Sequence, residues 1–571
     1  MVNLSLEKSA NRQIRLWFSL SVLVAIACGV WAFLKTWGQD YLIQDDARSH
    51  VVWMFRFLDP ELFPDDPIID YFQSVAPLGY AKFYQLFATF GINPLLLSRI
   101  LPIILGAIAT GFCFGVCWEI LPIPIAGFFS TLLLNQNLWL KDDLVTATPR
   151  AFFYPLFLAF LYFLLQRSLF GVGIAIALLG GFYPQGVLIA VGLLILHTLF
   201  SENIIQARNK KSFFILFAGL IIGGIVLLPY LVNASEWGEV ITRSQAKTLP
   251  EFYPGGRASF FTDKPLDFWI TGDRSGLLPQ EWFRRTWIPP QVIAGLLLPV
   301  LLIFSELKSS SLFPLTQKIS CSILILPELL LVSTGLFFLA HALAFKLHHP
   351  SRYSQHSLRI VMAIAGGIAV TLILDAILRK ISNSQNQVAL KSSLAALLFL
   401  LLCYPSLINR FPITNNIVGK NPLLYEFFAI QPKPMKVASL SNEVNNIPAF
   451  SKRSILVGSE YILPYHQKYY ALMKQRAEDL ISAQYSSDIN QVKQFIQDYD
   501  IGFWMLDENA LSLDFVQQDA TLKKISTTAT QTVEKNLKNG QKPILKTFIE
   551  RCTVLQVEGY IILDSNCLLN S

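Results

Sequence analysis

The chain has 571 residues, of which 53% are hydrophobic and only 15% are charged. A soluble globular protein carries about 25% charged residues, so this composition argues against a soluble enzyme and for a chain with many membrane helices. The net charge of +7 is modest for this length. In a membrane protein such a charge indicates basic cytoplasmic loops, and it argues against a nucleic-acid partner.

Apolar stretches along the chain predict about eleven membrane spans. All of them are predicted to be helical, because an open strand cannot satisfy its backbone polar groups inside lipid. The first has no charged residue and is long enough to cross a hydrocarbon core of about 30 Å. Several others are shorter than the roughly 20 residues of an ideal span. In chain order, the predicted spans are residues 16–34, 96–120, 121–134, 151–165, 169–180, 187–200, 213–232, 292–304, 323–345, 360–378 and 394–408.

The basic residues of the short loops predict the orientation, since cytoplasmic loops of membrane proteins are enriched in lysine and arginine. Arg15 precedes the first span, and Arg167, Lys211 and Arg379 lie in alternate loops. Placing these residues on the inner side puts the N-terminus in the cytoplasm, with the bacterial plasma membrane as the expected location. The predicted outer segments are residues 36–95, 136–149, 233–291, 346–357 and 409–571.

The tail at residues 409–571 differs in composition from the spans, since charged residues become frequent and long apolar runs end. Residues 489–498 have helical spacing and lead into the apolar run 501–506, which predicts a helix followed by a buried strand. Cys552 and Cys567 are the only cysteines of the tail. A disulfide between them and a pair of free thiols are both open interpretations.

The change in composition predicts two domains. Residues 1–408 are predicted to form an α-helical polytopic transmembrane domain, with amphipathic helices in the first external loop at residues 36–95. Residues 409–571 are predicted to form an external soluble α/β domain, which is long enough to bury a core of its own.

An acidic pair, Asp45 and Asp46, opens the first external loop. Carboxylates at a membrane surface stay hydrated, and they can bind a divalent cation or accept a proton from a hydroxyl group. After the pair, Ala47, Val51 and Met54 recur at helical spacing, which predicts an amphipathic helix in the headgroup plane that fixes the aspartates at the lipid boundary. Capping of this helix by an aspartate is the simpler interpretation, but it accounts for one aspartate rather than two.

A second acidic pair, Asp142 and Asp143, lies in the second external loop, just before a span that opens near Arg150. Ordinary solvated loop charges and ligands of a divalent cation are both open interpretations of this pair. Arg150 stands at the outer end of its span, where its side chain can reach the lipid headgroups or pair with a phosphate.

A third polar cluster, at His348, His349, Arg352 and Tyr353, is predicted to lie in a short external loop between two strong spans. Basic residues on the outer side run against the usual bias, so a functional explanation is favoured for Arg352. Its guanidinium group is well shaped to bind a phosphate through two hydrogen bonds. The alternative is that Arg352 and Tyr353 only anchor the loop at the membrane interface.

The first span, the early acidic pair, the amphipathic segment after it and the folded external tail together resemble GT-C-type polytopic membrane glycosyltransferases. This group includes mannosyltransferases that use polyprenyl-phosphate sugars, and oligosaccharyltransferases. The resemblance implies that a sugar passes from a polyprenyl-phosphate-linked donor to a glycan, lipid or protein acceptor at the outer face, in contact with membrane lipids.

The resemblance also implies roles for the polar clusters. The implied roles are catalysis by Asp45 and Asp46, donor-phosphate binding by Arg352, Arg150 and Tyr353, and coordination of a divalent cation, Mg²⁺ or Mn²⁺, by Asp46, Asp142 and Asp143. Oligosaccharyltransferases carry an Asp-x-Asp spacing in the second loop, whereas Asp142 and Asp143 are adjacent, which weakens the metal assignment.

Two other functions fit a polytopic protein. A flippase of lipid-linked sugars, or a small-solute transporter, would carry polar residues at mid-span and interrupted helices at the midplane. The polar clusters here are predicted at the outer ends of the spans instead. A polysaccharide polymerase would also act outside, but the early acidic pair and the folded tail fit it less well.

Overall fold

The computed structural model describes residues 2–204, 210–232, 235–283, 288–307, 312–382, 387–408 and 410–571. Helices dominate the chain before the tail, because long apolar stretches in lipid can satisfy their backbone only within a helix. The longer helices of this part are Val2–Leu34, Pro67–Ser74, Leu78–Thr89, Pro94–Ile120, Pro124–Leu138, Phe153–Leu165, Leu169–Phe182, Pro184–Ile204, Lys210–Val232, Pro290–Leu307, Ile325–Ala342, Ser351–Ser382 and Gln387–Cys403.

Each predicted span overlaps one of these helices. Within the described ranges, six helices are long and apolar enough to cross a membrane. The shorter apolar helices are Pro149–Leu165, Leu169–Phe182, Pro184–Phe200 and Pro290–Ser305. The chain is therefore an integral membrane protein with a mostly helical fold. The count of eleven spans stays a prediction, since helix length alone does not decide whether the shorter helices cross.

The long helix Ser351–Ser382 lies at the centre of the helical part. It packs most extensively against Pro124–Leu138 and Pro290–Leu307. At Gly367 a Cβ atom would lie 2.3 Å from the backbone nitrogen of Ser130, so only glycine allows the two helices this close. The close packing brings the N-terminal turns of Ser351–Ser382 beside the loop that carries Asp142 and Asp143.

The segment that follows the first acidic pair folds into two short helices rather than one amphipathic helix. An α-helix at Asp45–His50 is followed by a 3₁₀ helix at Val52–Phe57, and residues 51–55 are all buried. The prediction of one amphipathic helix after Asp46, lying in the headgroup plane, is therefore wrong. The reason is tertiary, because helices Pro67–Ser74 and Leu78–Thr89 pack against this turn and cover it with protein.

The tail contains a mixed five-stranded sheet, in the spatial order Ser454–Ile455, Lys436–Ala438, Phe503–Asp507, Tyr560–Asp564 and Thr553–Val557. The first three strands are parallel. Tyr560–Asp564 pairs antiparallel with both of its neighbours, Phe503–Asp507 and Thr553–Val557. Helix Ile489–Tyr499 leads into strand Phe503–Asp507, which confirms the predicted helix and buried strand. Cys552 and Cys567 form a disulfide. The tail helices are Pro422–Ala429, Ile447–Phe450, Gln467–Gln484, Ile489–Tyr499, Leu513–Gln518, Ala520–Ile525, Thr527–Lys538, Leu545–Cys552 and Ser565–Leu569.

The tail is joined by hydrogen bonds to the segment between the first helix and Asp45. Strand Leu42–Gln44, directly before Asp45, pairs antiparallel with Asn416–Val418. Lys35 donates hydrogen bonds to the carbonyl groups of residues 410, 411 and 412 at 3.1, 3.0 and 2.9 Å. The predicted domain boundary falls at residue 409, which lies outside the described residues, and the division into two domains stays a prediction.

Candidate active site

Asp45 and Asp46 begin one short helix, but their carboxylates have different partners. Asp45 pairs with Arg48, which also pairs with Glu460 of the tail at 3.1 Å. Asp46 pairs instead with Arg150, in the 3₁₀ helix Pro149–Phe152 that follows the second acidic pair. The acidic pair therefore divides, with Asp45 joined to the tail and Asp46 joined to the second loop.

Arg150 bridges one aspartate from each acidic pair. Its Nη2 donates to Asp46, and its Nη1 donates to Asp143 Oδ1 at 3.0 Å. Desolvation raises the pKa of Asp46, but Arg150, helped by His50 and Arg352, outweighs it and leaves that pKa below the ordinary value. Asp46 is therefore ionised at neutral pH. Because both ends of the Arg150 guanidinium are taken by carboxylates, this arrangement does not offer Arg150 to a phosphate.

Asp143 lies in a buried network beneath Arg150. Arg359 Nη1 and the Tyr154 hydroxyl each donate to Asp143 Oδ2 at 3.1 Å, and the Tyr154 oxygen lies 2.8 Å from His356 Nδ1. Arg359 in turn holds Glu281 through Nε at 2.7 Å. Burial raises the pKa of Asp143, but Arg359 and the other nearby cations hold that pKa well below its usual range. This pairing fixes Asp143, and through it Arg150, in one orientation.

Asp142 has amide partners instead of an ion pair. Its Oδ2 accepts hydrogen bonds from Gln44 Nε2 at 3.4 Å and from Asn415 Nδ2 at 3.1 Å. Desolvation and the neighbouring charges of Asp46 and Asp143 raise the pKa of Asp142. Because both amide donors flank the small sheet between the first loop and the tail, Asp142 joins the second loop to that sheet.

Arg352 and Tyr353 lie in the first turn of helix Ser351–Ser382, so the loop predicted at residues 346–357 is shorter than expected. Tyr353 is buried, and its hydroxyl donates to the Leu347 carbonyl at 2.8 Å, so that hydroxyl is used within the protein. Within the described ranges, no carboxylate lies at ion-pair distance from Arg352. Arg352 is thus an unpaired cation whose charge reaches Asp46.

The chain is similar to known proteins in its structure but not in its sequence. No protein-family model and no curated protein matches the chain. Among solved structures, the chain is similar to the apo oligosaccharyltransferase of Archaeoglobus fulgidus, with a TM-score of 0.52 and 11% identity over 90% of this chain and 72% of that one. It is also similar to the archaeal oligosaccharyltransferase AglB from the same organism in complex with an inhibitory peptide and a dolichol-phosphate, with a TM-score of 0.56 and 11% identity over 91% and 72%.

The chain has an oligosaccharyltransferase fold. At 11% identity the likeness is one of fold alone. It confirms the predicted GT-C-type architecture, in which a helical membrane part is followed by a C-terminal region that contains a sheet. The roles of individual side chains depend on the geometry of this chain itself.

One of the similar structures contains a metal ion. It is the same A. fulgidus enzyme in complex with Zn and sulfate, with a TM-score of 0.51 and 11% identity over 89% of this chain and 70% of that one. Among the described residues, no group of three His, Cys, Asp or Glu side chains is arranged to hold an ion. The predicted ligand set of Asp46, Asp142 and Asp143 does not fit a shared cation here. The Arg150 guanidinium occupies one oxygen of Asp46 and one of Asp143. Arg359 and Tyr154 occupy the other oxygen of Asp143.

Ion pairs also join three segments beside this site. Glu460 of the tail pairs with Arg257, of the long loop between helices Lys210–Val232 and Pro290–Leu307, as well as with Arg48. The loop also pairs with the tail through its backbone, since Ile241 N–H donates to the Tyr465 carbonyl at 2.9 Å. The first loop, the long loop and the tail therefore meet at Glu460.

The buried partners of Asp143 were missed by the sequence reasoning, which ended at Arg352 and Tyr353. A signal for them exists, because Arg352, His356 and Arg359 recur at helical spacing and share one face of Ser351–Ser382. Glu281 carries no comparable local signal. It reaches Arg359 only through the folding of the long loop between helices Lys210–Val232 and Pro290–Leu307.

Proposed function

We propose that this protein is a membrane glycosyltransferase that moves a sugar from a polyprenyl-phosphate-linked donor to an acceptor at the outer face of the membrane. The observation that carries the proposal is the assembly of Asp46, Arg150 and Asp143, with the unpaired Arg352 within electrostatic reach. The assembly stands on an oligosaccharyltransferase fold, and one protein of that fold is described in complex with a dolichol-phosphate and a peptide.

Asp46 is proposed to bind and orient the acceptor. Its Oδ2 is held by Arg150, and among the described residues nothing donates a hydrogen bond to Oδ1, which can therefore accept one from an acceptor group. Because its pKa is lowered, Asp46 is charged at neutral pH and acts as a weak base. The acceptor proton passes to it as the new bond to the sugar forms.

Arg352 is proposed to hold the donor phosphate. As the bond between the sugar carbon and the phosphate oxygen breaks, negative charge grows on the departing phosphate. A guanidinium with no carboxylate partner can stabilise this charge through two hydrogen bonds, because no existing ion pair has to be broken first. Arg150 then serves to keep Asp46 and Asp143 in place.

The proposal is tested by donor turnover in nanodiscs with a panel of polyprenyl-phosphate sugars. The released prenyl phosphate is the product that is measured. When no acceptor is supplied, slow transfer of the sugar to water still releases this product. Wild-type protein should release it, and Asp46→Asn should not. A wild-type protein that turns over none of these donors, with or without membrane extract as a source of acceptor, would contradict the proposal.

We also propose that the N-terminus is cytoplasmic and the tail external, in a bacterial plasma membrane. The support is the distribution of basic residues in the sequence, since Arg167, Lys211 and Arg379 all fall between predicted spans on the side assigned to the cytoplasm. In a background that lacks the exposed Cys321, single cysteines at Lys380 and Ser512 should be labelled from opposite sides, with Ser512 reached from outside. Labelling of both from one side would contradict the orientation.

A further inference from the structure

We infer that the guanidinium group of Arg150 takes the place of a divalent cation between the two acidic pairs, and that the transfer needs no such cation. This inference rests on the proposed glycosyl transfer and names how its carboxylates are held together. It starts from the neighbours of the four aspartates. Within the described ranges, only Asp46 and Asp143 share an ion-pair partner.

Within each acidic pair the two carboxylates have different partners. Asp45 and Asp46 pair with different arginines. In the second pair, Asp142 accepts hydrogen bonds from two amide groups at 3.4 and 3.1 Å, whereas Asp143 pairs with arginines. Each acidic pair therefore gives one carboxylate to Arg150 instead of giving two to one ion.

The bridging guanidinium is fixed from one face of a helix. Arg150 and Tyr154 lie four residues apart in the helical segment Pro149–Leu165, so their side chains share that face. Arg150 Nη1 donates to Asp143 Oδ1 at 3.0 Å, and the Tyr154 hydroxyl donates to Asp143 Oδ2 at 3.1 Å. The other end of the guanidinium, Nη2, donates to Asp46. One planar group thus joins an oxygen from each acidic pair, as a shared cation would.

The same guanidinium supplies the positive charge that a cation would bring. Two carboxylates at one site disfavour each other's ionisation unless a positive charge lies near both. Arginine is not deprotonated in proteins, so this charge is permanent. Among the described residues, no hydrogen-bond donor contacts Asp46 Oδ1 or Asp142 Oδ1. The charge of Arg150 acts on both of these carboxylates, so it opposes the binding of a divalent ion to their remaining oxygens.

Binding of Mn²⁺ tests the place assigned to Arg150. It is measured from the free-ion EPR signal, on full-length protein dialysed against EDTA and held in nanodiscs of zwitterionic lipid. Wild-type protein and Asp46→Asn should bind the same background of ions. Arg150→Ala should bind about one ion more than the double variant that also carries Asp46→Asn, because oxygens of Asp46, Asp142 and Asp143 are then open to a hard cation. Arg243→Ala is the matched control, because Arg243 is an exposed arginine elsewhere in the chain, and it should stay at the background level.

Donor turnover tests whether the transfer needs a cation. Wild-type protein should turn over its donor at the same rate in EDTA and in Mn²⁺ or Mg²⁺. A rate that EDTA abolishes and Mn²⁺ restores, or a wild-type Mn²⁺ site that Asp46→Asn removes, would overturn the inference and leave the proposed glycosyl transfer standing. Arg150→Gln replaces Arg150→Ala if that variant does not fold, and background binding by the folded variant would also overturn the inference. Turnover in neither buffer would contradict the proposed function instead, and the Mn²⁺ measurement, which does not depend on turnover, would still decide the place of Arg150.

Discussion

The two sides of the candidate site differ in how their charges are compensated. On the carboxylate side, formed by Asp46, Asp143 and Glu281 with Arg150 and Arg359, every charge has a partner of opposite sign. On the arginine side, formed by Arg352 and by Arg274 of the long loop beside it, neither guanidinium has a carboxylate at ion-pair distance among the described residues. The first side is complete without a ligand, whereas the second has the charge that an anionic donor would neutralise.

The difference indicates that the carboxylate side is preorganised and that the arginine side is available for binding. A buried set of paired charges holds its members in one geometry, because breaking any pair leaves an uncompensated charge in a poorly solvated place. Unpaired arginines beside the N-terminal end of a helix stay available to an incoming phosphate. Substitutions on the carboxylate side should therefore lower the reaction rate or the stability of the protein. Substitutions on the arginine side should weaken donor binding.

The largest effect is expected for Asp46→Asn. Removing the charge while keeping the volume should lower donor turnover by at least about a hundredfold, the usual contribution of a positioned acid or base. Expression and membrane insertion should stay near normal. Asp45→Asn is the matched control, because Asp45 pairs with Arg48 toward the tail, and it should keep most of the activity. Full activity in both variants would remove the acidic pair from the proposed mechanism.

Arg359→Met should mainly lower stability. It leaves Asp143 and Glu281 without their shared partner, and breaking a buried ion pair from one side costs about 3–5 kcal/mol in the free energy of unfolding. Unfolding in mixed detergent micelles measures the loss. Arg379→Met removes an exposed arginine from the same helix and should cost about 0–1 kcal/mol. Equal losses in the two variants would show that the carboxylate side is not preorganised by Arg359.

Arg352→Lys should weaken donor use without destabilising the protein. Lysine keeps the charge but loses the paired hydrogen bonds, so kcat/KM for the donor should fall about tenfold to a hundredfold, chiefly through KM. Arg352→Ala should be worse, because the charge is then lost as well. Turnover against donor concentration in nanodiscs is the measurement. An unchanged donor dependence in Arg352→Ala would return Arg352 to the role of an interfacial anchor.

The smallest expected effect is a shift in pH dependence. Arg150 lowers the pKa of Asp46 against desolvation, so Asp46 should stay ionised, and activity should hold, down to the ordinary aspartate value of about 3.9. In Arg150→Gln the desolvation is no longer outweighed, the pKa of Asp46 rises, and the acidic limb of kcat/KM should move to higher pH. A limb at the same pH in both proteins would show that Arg150 does not set the charge of Asp46.

Local patterns explain why some elements could be predicted. The helix Ile489–Tyr499 and the strand Phe503–Asp507 follow from residues that are close in sequence, as do the helices at the apolar stretches. The buried turn at residues 51–55 could not be predicted in this way. Its apolar residues recur at helical spacing, as in a surface helix, but neighbouring helices of the first loop cover it on its other faces.

The sequence by itself determined a polytopic helical membrane protein, its GT-C-type architecture and the acidic pairs and arginine from which its site is built. Only the tertiary structure decided which charges meet, because Arg359 lies 216 residues from Asp143 and 78 residues from Glu281 in sequence. It also decided which charges stay unpaired, as for Arg274 and Arg352. The strength of an ion pair depends on distance and burial in space, and neither quantity is contained in the spacing of residues along the chain.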